Sequence, residues 1–358
     1  MTATAEAASE QAALEQLHST GRTDGLPVIV PTRVRVDDMV LAGGLAPDLM
    51  MGRVGPSMAA ATVETIAVNA VMAGCSPEHF PVVLAAVQAI CAEEFDLTEV
   101  QVTTHAVTPM IIVNGPARDA CGVASGSGAL GPGARANATI GRALRLVMIN
   151  IGGGRAGISD MALFGHPAKF TFCLAEAEEA SPWPPLHVSR GWSPDHSTVT
   201  VVGVEGPHSV VCAPMPDEHA ARAADATVAQ LARAVGATSA NSTFHQRGHV
   251  VVLINPAIAR LLAAAGLDRQ SLQRRLVDEC RHPRRLLRAL NPALVDEGDD
   301  DDLLPVLDPA TLLIVVAGGE GAYCLVCPSV GVGPHRNQAV TAEIQISQYC
   351  ELPAGLDG

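Results

Sequence analysis

Two stretches of the sequence decide the expected fold: His105-Ala-Val-Thr-Pro-Met-Ile-Ile-Val-Asn-Gly-Pro116 and His245-Gln-Arg-Gly-His-Val-Val-Val-Leu-Ile-Asn-Pro256. In each, a histidine precedes an aliphatic run of strand length, which is followed by asparagine and by a proline that opens a helix. The two histidines lie 140 residues apart, and Asn114 and Asn255 lie 141 apart. An internal duplication explains this spacing, although strand-Asn-Pro-helix order also arises by chance in α/β proteins.

Outward from these stretches, strand and helix patterns alternate along the chain. This alternation predicts the α/β class, with mixed sheets in two lobes that a duplication would relate. The expected strands are 26–31, 100–104, 110–113, 170–175, 250–254 and 312–316, with a hairpin of 198–204 and 209–211. The expected helices are 33–42, 62–73, 77–92, 143–151, 218–235 and 269–280. The predicted organisation is a flexible segment 1–24, a first lobe 25–160, a second lobe 161–350 and a tail 351–358.

Composition restricts the classes of function. The 358 residues are 48% hydrophobic and carry a formal net charge of -14, so a large core is expected and neither nucleic acid nor an anionic membrane surface is expected as a partner. The N-terminal residues lack the basic and apolar regions of a signal peptide, and the apolar runs are short or interrupted, which predicts a cytoplasmic protein without membrane spans. Aliphatic residues with few aromatics and few charges favour a homo-oligomer.

Cys75 is the strongest candidate nucleophile. It lies in Gly74-Cys-Ser-Pro-Glu78, between two predicted helices, where the free N–H groups of the second helix would favour a thiolate. A small buried thiol at a helix corner is the alternative. The Cys324-Leu-Val-Cys327 spacing is discounted as a redox or zinc motif, because residues three apart in a strand point to opposite faces.

A second candidate site is a cluster of glutamates and histidines. His166, Glu176, Glu178, Glu179 and His187 fall within one short segment, and His105 is expected to join them from another strand. These side chains could form a general acid/base pair, with His105, Glu176 and Glu179 as the candidates for proton transfer to Cys75. The alternative is that the glutamates form a solvated acidic turn and the histidines cap loops, without a catalytic role. A divalent metal held by His166, Glu176, Glu179 and His187 is the one cofactor considered, although no HExxH motif supports it.

The glycine-rich segment 131–142 predicts an anion site. Arg135, Asn137 and Arg142 lie in its loop and first helical turn, where guanidinium groups and helix N–H groups bind carboxylate or phosphate. Solvent-facing arginines are the alternative. Asn114, Trp183 and His187 are expected to complete the substrate site from neighbouring loops. The arginines between residues 274 and 288 are expected to pair with the acidic loop 296–302.

Four segments carry a family resemblance: residues 25–32, 61–78, 131–142 and Glu178-Glu-Ala-Ser-Pro-Trp183. On these segments the sequence resembles a largely uncharacterised bacterial family related to the UGSC-type (seleno)proteins, whose members are associated with a Sec/Cys-Gly-Ser-Cys segment. The resemblance implies thiol or selenol redox chemistry. Because this chain has no Cys-Gly-Ser-Cys segment, such a segment would either lie on a separate small thiol-redox protein or be absent.

The sequence therefore predicts an enzyme that acts on a small anionic organic substrate by cysteine-dependent redox or nucleophilic chemistry. Two alternatives stay open. One is a metal-dependent lyase or hydrolase that uses the histidine and glutamate cluster. The other is a non-catalytic subunit that binds substrate or docks a thiol-redox partner.

Overall fold

A computed structural model describes residues 7–212 and 220–345 of the chain. The helices of this part are α1 Glu10–Ser19, α2 Arg33–Gly43, α3 Val63–Ala73, α4 Phe80–Ile90, α5 Leu97–Val102, α6 Ala117–Ala120, α7 Arg135–Asn150, α8 Leu186–Ser189, α9 Ala220–Val235, α10 Asn241–His245, α11 Pro256–Ala264, α12 Arg269–Glu279 and α13 Arg284–Leu290. The strands are β1 Met50–Val54, β2 Ala59–Thr62, β3 Thr108–Asn114, β4 Cys173–Ala175, β5 Thr198–Val204, β6 His208–Val211, β7 Val250–Ile254, β8 His282–Pro283, β9 Leu303–Leu304, β10 Leu312–Val316, β11 Tyr323–Cys327 and β12 Val340–Glu343. This mixture confirms the α/β class.

Two four-stranded sheets form the centre of the fold, in the orders β4-β3-β5-β12 and β10-β7-β11-β6. In the first, β3 pairs parallel with β4 and antiparallel with β5, and β12 is antiparallel to β5. In the second, β7 pairs parallel with β10 and antiparallel with β11, and β6 is antiparallel to β11. The strand order and polarity are thus the same in both sheets. This identity supports the internal duplication predicted from the two His-strand-Asn-Pro stretches.

The two sheets exchange their last strands. β6 directly follows β5 in the chain but pairs with β11 of the other sheet, and β12 follows β11 but pairs with β5. The predicted hairpin of residues 198–204 and 209–211 is therefore wrong. The connection after β5 crosses between the sheets, and the N–H of Glu205 donates to the carbonyl of Pro328 in the connection that returns from β11.

Alternating side chains divide the apolar residues into three cores. One face of the first sheet, including Ile111 and Val113, packs against α2, α3, α4 and α7. The outer face of the second sheet packs against α9, α11 and α12. The remaining faces of both sheets meet in a shared core that includes Met110, Ile112 and Leu253. Because strand residues alternate between faces, each central strand contributes to two cores. The shared core leaves the predicted division into two lobes unconfirmed.

Several local predictions are confirmed. β7 matches the expected strand 250–254, and α2, α3 and α12 lie at the expected positions. The expected pairing with the acidic loop holds for Arg284, Arg285 and Arg288, which pair with Asp302, Asp301 and Asp300, whereas Arg275 and Arg281 pair with other acidic residues. Cys324 belongs to the outer core of the second sheet and Cys327 to the core between the sheets, so the two thiols lie on opposite faces.

Other local predictions are wrong. Residues 26–31 form no strand, because Pro27 and Pro31 lack the N–H groups of a ladder, and only Val28 is buried. Residues 100–104 belong largely to α5, which begins after Asp96 in the left-handed conformation and buries Leu97 and Val100. Helix α1 spans residues 10–19 within the segment 1–24, whose flexibility stays a prediction.

The predicted boundary at residue 160 lies between strands of one sheet, since β3 is hydrogen-bonded to both β4 and β5. The predicted tail 351–358 and Cys350 lie outside the described residues. Within the described ranges, none of the helices has the length and apolar character that crossing a bilayer requires.

Candidate active site

The carboxyl ends of the parallel strands β3 and β4 bring three polar side chains together. Val113 of β3 is paired with Ala175 of β4, so the residues that follow, Asn114 and Glu176, lie side by side. The Nδ2 of Asn114 donates to Glu176 Oε2 at 2.7 Å and to Glu178 Oε1 at 2.9 Å. A single asparagine thus joins two carboxylates of the predicted acidic turn.

The first turn after β3 holds the carboxylate of Glu178. Its Oε1 accepts a hydrogen bond from the Gly115 N–H at 2.8 Å and lies 3.2 Å from Arg118 Nε. Gly115 has a φ of +78°, and a Cβ at this position would lie 2.1 Å from the carbonyl oxygen of His196. Both the backbone conformation and the close approach require glycine. The Asn-Gly-Pro sequence therefore allows the backbone to reach the carboxylate.

The carboxylate of Glu176 connects this turn to the helices of the second sheet. Glu176 is fully buried, and its Oε2 accepts from the Leu186 N–H at 2.6 Å. Its Oε1 accepts from Arg269 Nη2 at 2.8 Å, and the same nitrogen of Arg269 lies 2.7 Å from the carbonyl of Pro184. The guanidinium of Arg269 also contacts the carbonyl of Ile314 in β10. The pair is therefore a buried link between elements of the two sheets.

His187 carries the clearest sign of a binding function. Its side chain is 0% exposed, and neither ring nitrogen has a hydrogen-bond partner among the described residues. Its Nδ1 lies 3.9 Å from Glu178 Oε1, which is beyond hydrogen-bond distance. The Oδ1 of Asn114 is also buried without a partner in the described part of the chain. Buried polar atoms are nearly always paired, so such exceptions indicate water, an ion or a ligand.

Glu179, the residue after Glu178, has the opposite exposure. In a 3₁₀ turn, successive side chains point about 120° apart, so Glu178 is 12% exposed whereas Glu179 is 74% exposed. Glu179 accepts two hydrogen bonds from the Arg118 guanidinium, at 3.0 Å from Nη1 and 2.6 Å from Nη2. These bonds lower the pKa of Glu179 to about 2. An exposed carboxylate thus covers a buried guanidinium.

Trp183 anchors the rigid loop that leads to His187. Its indole is buried, and Nε1 donates to the carbonyl of Leu267 at 2.9 Å. The indole belongs to the core between the second sheet and its helices. The one hydrogen-bond donor of the side chain is therefore used by the chain itself.

The predicted residues His105 and His166 lie at the opposite end of β3. The ring of His105 contacts the ring of His245, with 5.7 Å between their centroids, so the two histidines of the duplicated stretches meet. His166 Nε2 lies 2.5 Å from the carbonyl of Ala106, and burial lowers the pKa of His166. About 3.3 Å per strand residue places roughly 20 Å between this end of β3 and Asn114. Neither histidine joins the glutamates.

The metal alternative is not supported by this arrangement. Within the described residues, no three or more His, Cys, Asp or Glu side chains are grouped to hold a metal ion. The proposed ligands are separated by the length of the sheet, with His166 at one end of β3 and Glu176, Glu179 and His187 at the other. The expectation that these four residues converge is therefore wrong.

Cys75 lies at the predicted helix corner, but its expected thiolate is not favoured. Gly74 caps the end of α3, and Cys75 is 7% exposed in the core of the first sheet. Burial raises the pKa of Cys75 to about 12, and a hydrogen bond with Thr139 and the charge of Arg135 offset only part of this effect. Desolvation therefore outweighs the favourable contacts of the thiol with Thr139 and Arg135.

The three polar residues predicted for the anion loop have different surroundings. Arg135 is exposed and donates to the carbonyl of Gly74 at 3.1 Å from Nη2, which places it beside Cys75. Asn137 is buried and bonds the backbone N–H and C=O of Ala124. Arg142 forms two 2.8 Å hydrogen bonds with Asp24. The side chains of Asn137 and Arg142 therefore connect parts of the fold, and only Arg135 faces solvent.

Sequence patterns did not identify Arg118 and Arg269 as site residues. Arg118 follows Asn114 by four residues, on the turn that Gly-Pro opens, and this position could have indicated it. Arg269 had no local signal, because it reaches Glu176 from a distant helix. A cavity of about 240 Å³ lies elsewhere, lined by residues of α2, β1, α4 and β12, and none of the predicted site residues lines it.

Comparison with known proteins adds no assignment. No protein-family model matches the chain, and no curated protein matches it. The candidate site therefore rests on the geometry of the chain itself.

Proposed function

We propose that the protein is an enzyme that binds a small organic anion at the carboxyl ends of β3 and β4 and transfers a proton to or from it through His187. The site consists of Asn114, Arg118, Glu176, Glu178 and His187, called the acid–base cluster below. The observation that carries the proposal is the His187 imidazole, which is fully buried, lacks described partners at both nitrogens and faces Glu178 at 3.9 Å.

Within this proposal, the two ring nitrogens of His187 have different tasks. Nδ1 faces the Glu178 carboxylate, so Nε2 is the nitrogen left for the ligand. A neutral imidazole carries one donor and one acceptor and serves as a general acid or base near neutral pH. Glu178 places a negative charge beside Nδ1, since Asn114, Gly115 and Arg118 fix the carboxylate from three sides.

The anionic character of the substrate is inferred from the arginines. Arg118 and Arg269 are both buried beside the glutamates. Guanidinium groups bind carboxylates and phosphates with paired N–H donors. The Oδ1 of Asn114 offers an acceptor for a substrate hydroxyl or amino group.

Proton nuclear magnetic resonance in D₂O tests the proposal with a panel of small organic acids, so no single substrate has to be chosen. Each acid is incubated with the protein, and loss of C–H signals or appearance of product signals is followed. Wild type is expected to convert at least one compound, and His187→Asn and Glu178→Gln to lose about 10²–10⁴-fold in rate. His208→Gln, on the exposed side of β6, is the control. Full conversion by His187→Asn would overturn the proposal.

Cysteine-dependent chemistry is the second candidate. It is favoured by the surroundings of Cys75, where Arg135 lies alongside and the Thr139 hydroxyl is 3.3 Å from His79 Nδ1. His79 Nδ1 also accepts a hydrogen bond from the Ser76 N–H at 3.2 Å, and burial lowers the pKa of the ring. Loss of conversion in Cys75→Ser, with conversion retained in His187→Asn, would favour this candidate. The UGSC-type resemblance and a separate thiol-redox partner belong with it and stay predictions.

The homo-oligomer and the non-catalytic docking role also stay predictions. Exposed apolar side chains on the loop before β4 support self-association, among them Ile158, Leu163 and Phe164. Sedimentation analysis at several concentrations tests it. A docking role would be indicated by conversion that requires a co-purifying thiol protein.

A further inference from the structure

Arg118 and Glu179 form an ion pair in which one side chain is buried and the other is exposed. The Arg118 side chain is 7% exposed, whereas Glu179 is 74% exposed. Arg118 also contacts Glu178 and donates to the carbonyls of Gly115 and Glu176, so its position is fixed by the fold. Among the residues that the structure describes, Glu179 has no comparable anchor beyond Arg118 and its own backbone N–H. Of the two partners, Glu179 is the one that can leave.

We propose that Glu179 occupies the position of a substrate carboxylate, and that a carboxylic acid substrate displaces it from Arg118. This inference rests on the proposed function and specifies its substrate class. Glu179 presents two oxygens to two guanidinium nitrogens, which is the geometry of bidentate carboxylate recognition. The structure thus contains a carboxylate already bound in the proposed subsite.

The charge of the site supports the exchange. The three carboxylates of Glu176, Glu178 and Glu179 face the two guanidinium groups of Arg118 and Arg269, and these five groups together carry one excess negative charge. When Glu179 turns into solvent, an incoming carboxylate restores the same balance. No buried charge is left unpaired during binding, and an unpaired buried charge would be the main cost.

The remainder of such a substrate would meet the unpartnered atoms. Glu178 is adjacent to Glu179 in the chain and to Arg118 in space, and His187 Nδ1 lies 3.9 Å from the same Glu178 oxygen that Arg118 contacts. Asn114 Oδ1 belongs to a side chain bonded to that oxygen. A molecule held by its carboxylate on Arg118 would therefore reach toward two buried groups that lack described partners.

Acetate binding tests the inference, with acetate as a minimal carboxylate. A carboxylate held beside Arg118 by the same folded chain competes at millimolar or higher effective concentration, so wild type should bind acetate weakly. If Glu179 covers Arg118 about 90% of the time, Glu179→Gln should lower the apparent dissociation constant of acetate about tenfold. The signal is the fluorescence of Trp183 in a Trp192→Phe background, where it is the sole tryptophan.

The matched control is Glu320→Gln. Glu320 follows β10 by the same number of residues as Glu179 follows β4, but it pairs with the half-exposed Arg260. Acetate affinity should be unchanged in this variant, and Arg118→Lys combined with Glu179→Gln should lose the tightening. Titrations with chloride at equal ionic strength separate binding from screening.

An unchanged acetate affinity in Glu179→Gln, or an equal response to chloride, would overturn the inference, even if the Arg118 variant fails to fold. The proposed function is judged separately. If His187→Asn loses conversion but Glu179→Gln does not bind acetate more tightly, proton transfer by His187 is supported and the displacement of Glu179 is refuted. Tighter acetate binding in Glu179→Gln, together with full conversion in His187→Asn, would support the exchange and overturn proton transfer by His187.

Discussion

Replacing Glu176 with glutamine should lower the free energy of unfolding by about 3–5 kcal/mol, the range for removing one charge from a buried ion pair. Both oxygens of Glu176 act as acceptors, Oε1 for Arg269 and Oε2 for Asn114 and the Leu186 N–H. Glutamine has one acceptor and one donor group, so in either orientation its NH₂ faces an N–H donor. The substitution therefore leaves Arg269 uncompensated and also breaks hydrogen bonds.

Urea denaturation followed by circular dichroism measures this cost. Glu320→Gln is the control, because Arg260 and Glu320 are 51% and 65% exposed and such pairs contribute no more than about 1 kcal/mol. Combining Glu176→Gln with Arg269→Gln should recover at least about 1 kcal/mol of the loss, since the unpaired guanidinium is then removed. A Glu176→Gln variant as stable as Glu320→Gln would refute the account of the buried link.

The remaining predictions concern a histidine, a thiol and a glycine. The hydrogen bond with Asp96 raises the pKa of His335. The contribution of this pair to stability should therefore be complete below the unfolded pKa near 6.5 and be lost as the pH rises through the higher folded pKa. Hydrogen exchange of residues 334–337 in wild type and in His335→Asn measures this, and equal protection in both proteins at every pH would contradict it. With a pKa of about 12, Cys75 should be thiolate in only about one molecule in 10⁴ at pH 8, so iodoacetamide should label it roughly a thousandfold more slowly in the native than in the unfolded protein; rapid native labelling, read by mass spectrometry, would contradict the burial of the thiol. Gly115→Ala should cost more than about 2 kcal/mol in urea, because its Cβ would meet the His196 carbonyl and its φ is positive; a neutral effect would show that the turn after β3 can move.

Local sequence patterns predicted the central strands, because a continuous aliphatic run bounded by Asn and Pro has few alternatives to a buried strand. The same pattern located one edge of the site, since Asn114 ends β3 and the acidic turn follows β4. The pairing of β6 with β11 could not be predicted, because a short connection after β5 fits a hairpin as well as a crossing between sheets. Which sheet a strand joins depends on the topology of the whole chain.

The interior of the site was less predictable than its position. Glu176, Glu179 and His187 were singled out from the sequence, but Arg269 reaches Glu176 from a helix more than ninety residues later. Cys75 lay at the corner that the helix signals predicted, yet its ionisation depends on burial, which helix signals do not report. His166 and Glu176 are close in the chain and far apart in space, because β4 and the segment before it run along the sheet.

A high-resolution crystal structure of the protein, soaked with the carboxylic acids that it converts, tests the central claim most directly. We predict density for a non-protein molecule within hydrogen-bond distance of a His187 ring nitrogen and of Asn114 Oδ1. Ring nitrogens of His187 that contact only protein carbon atoms, with no such density, would contradict the claim.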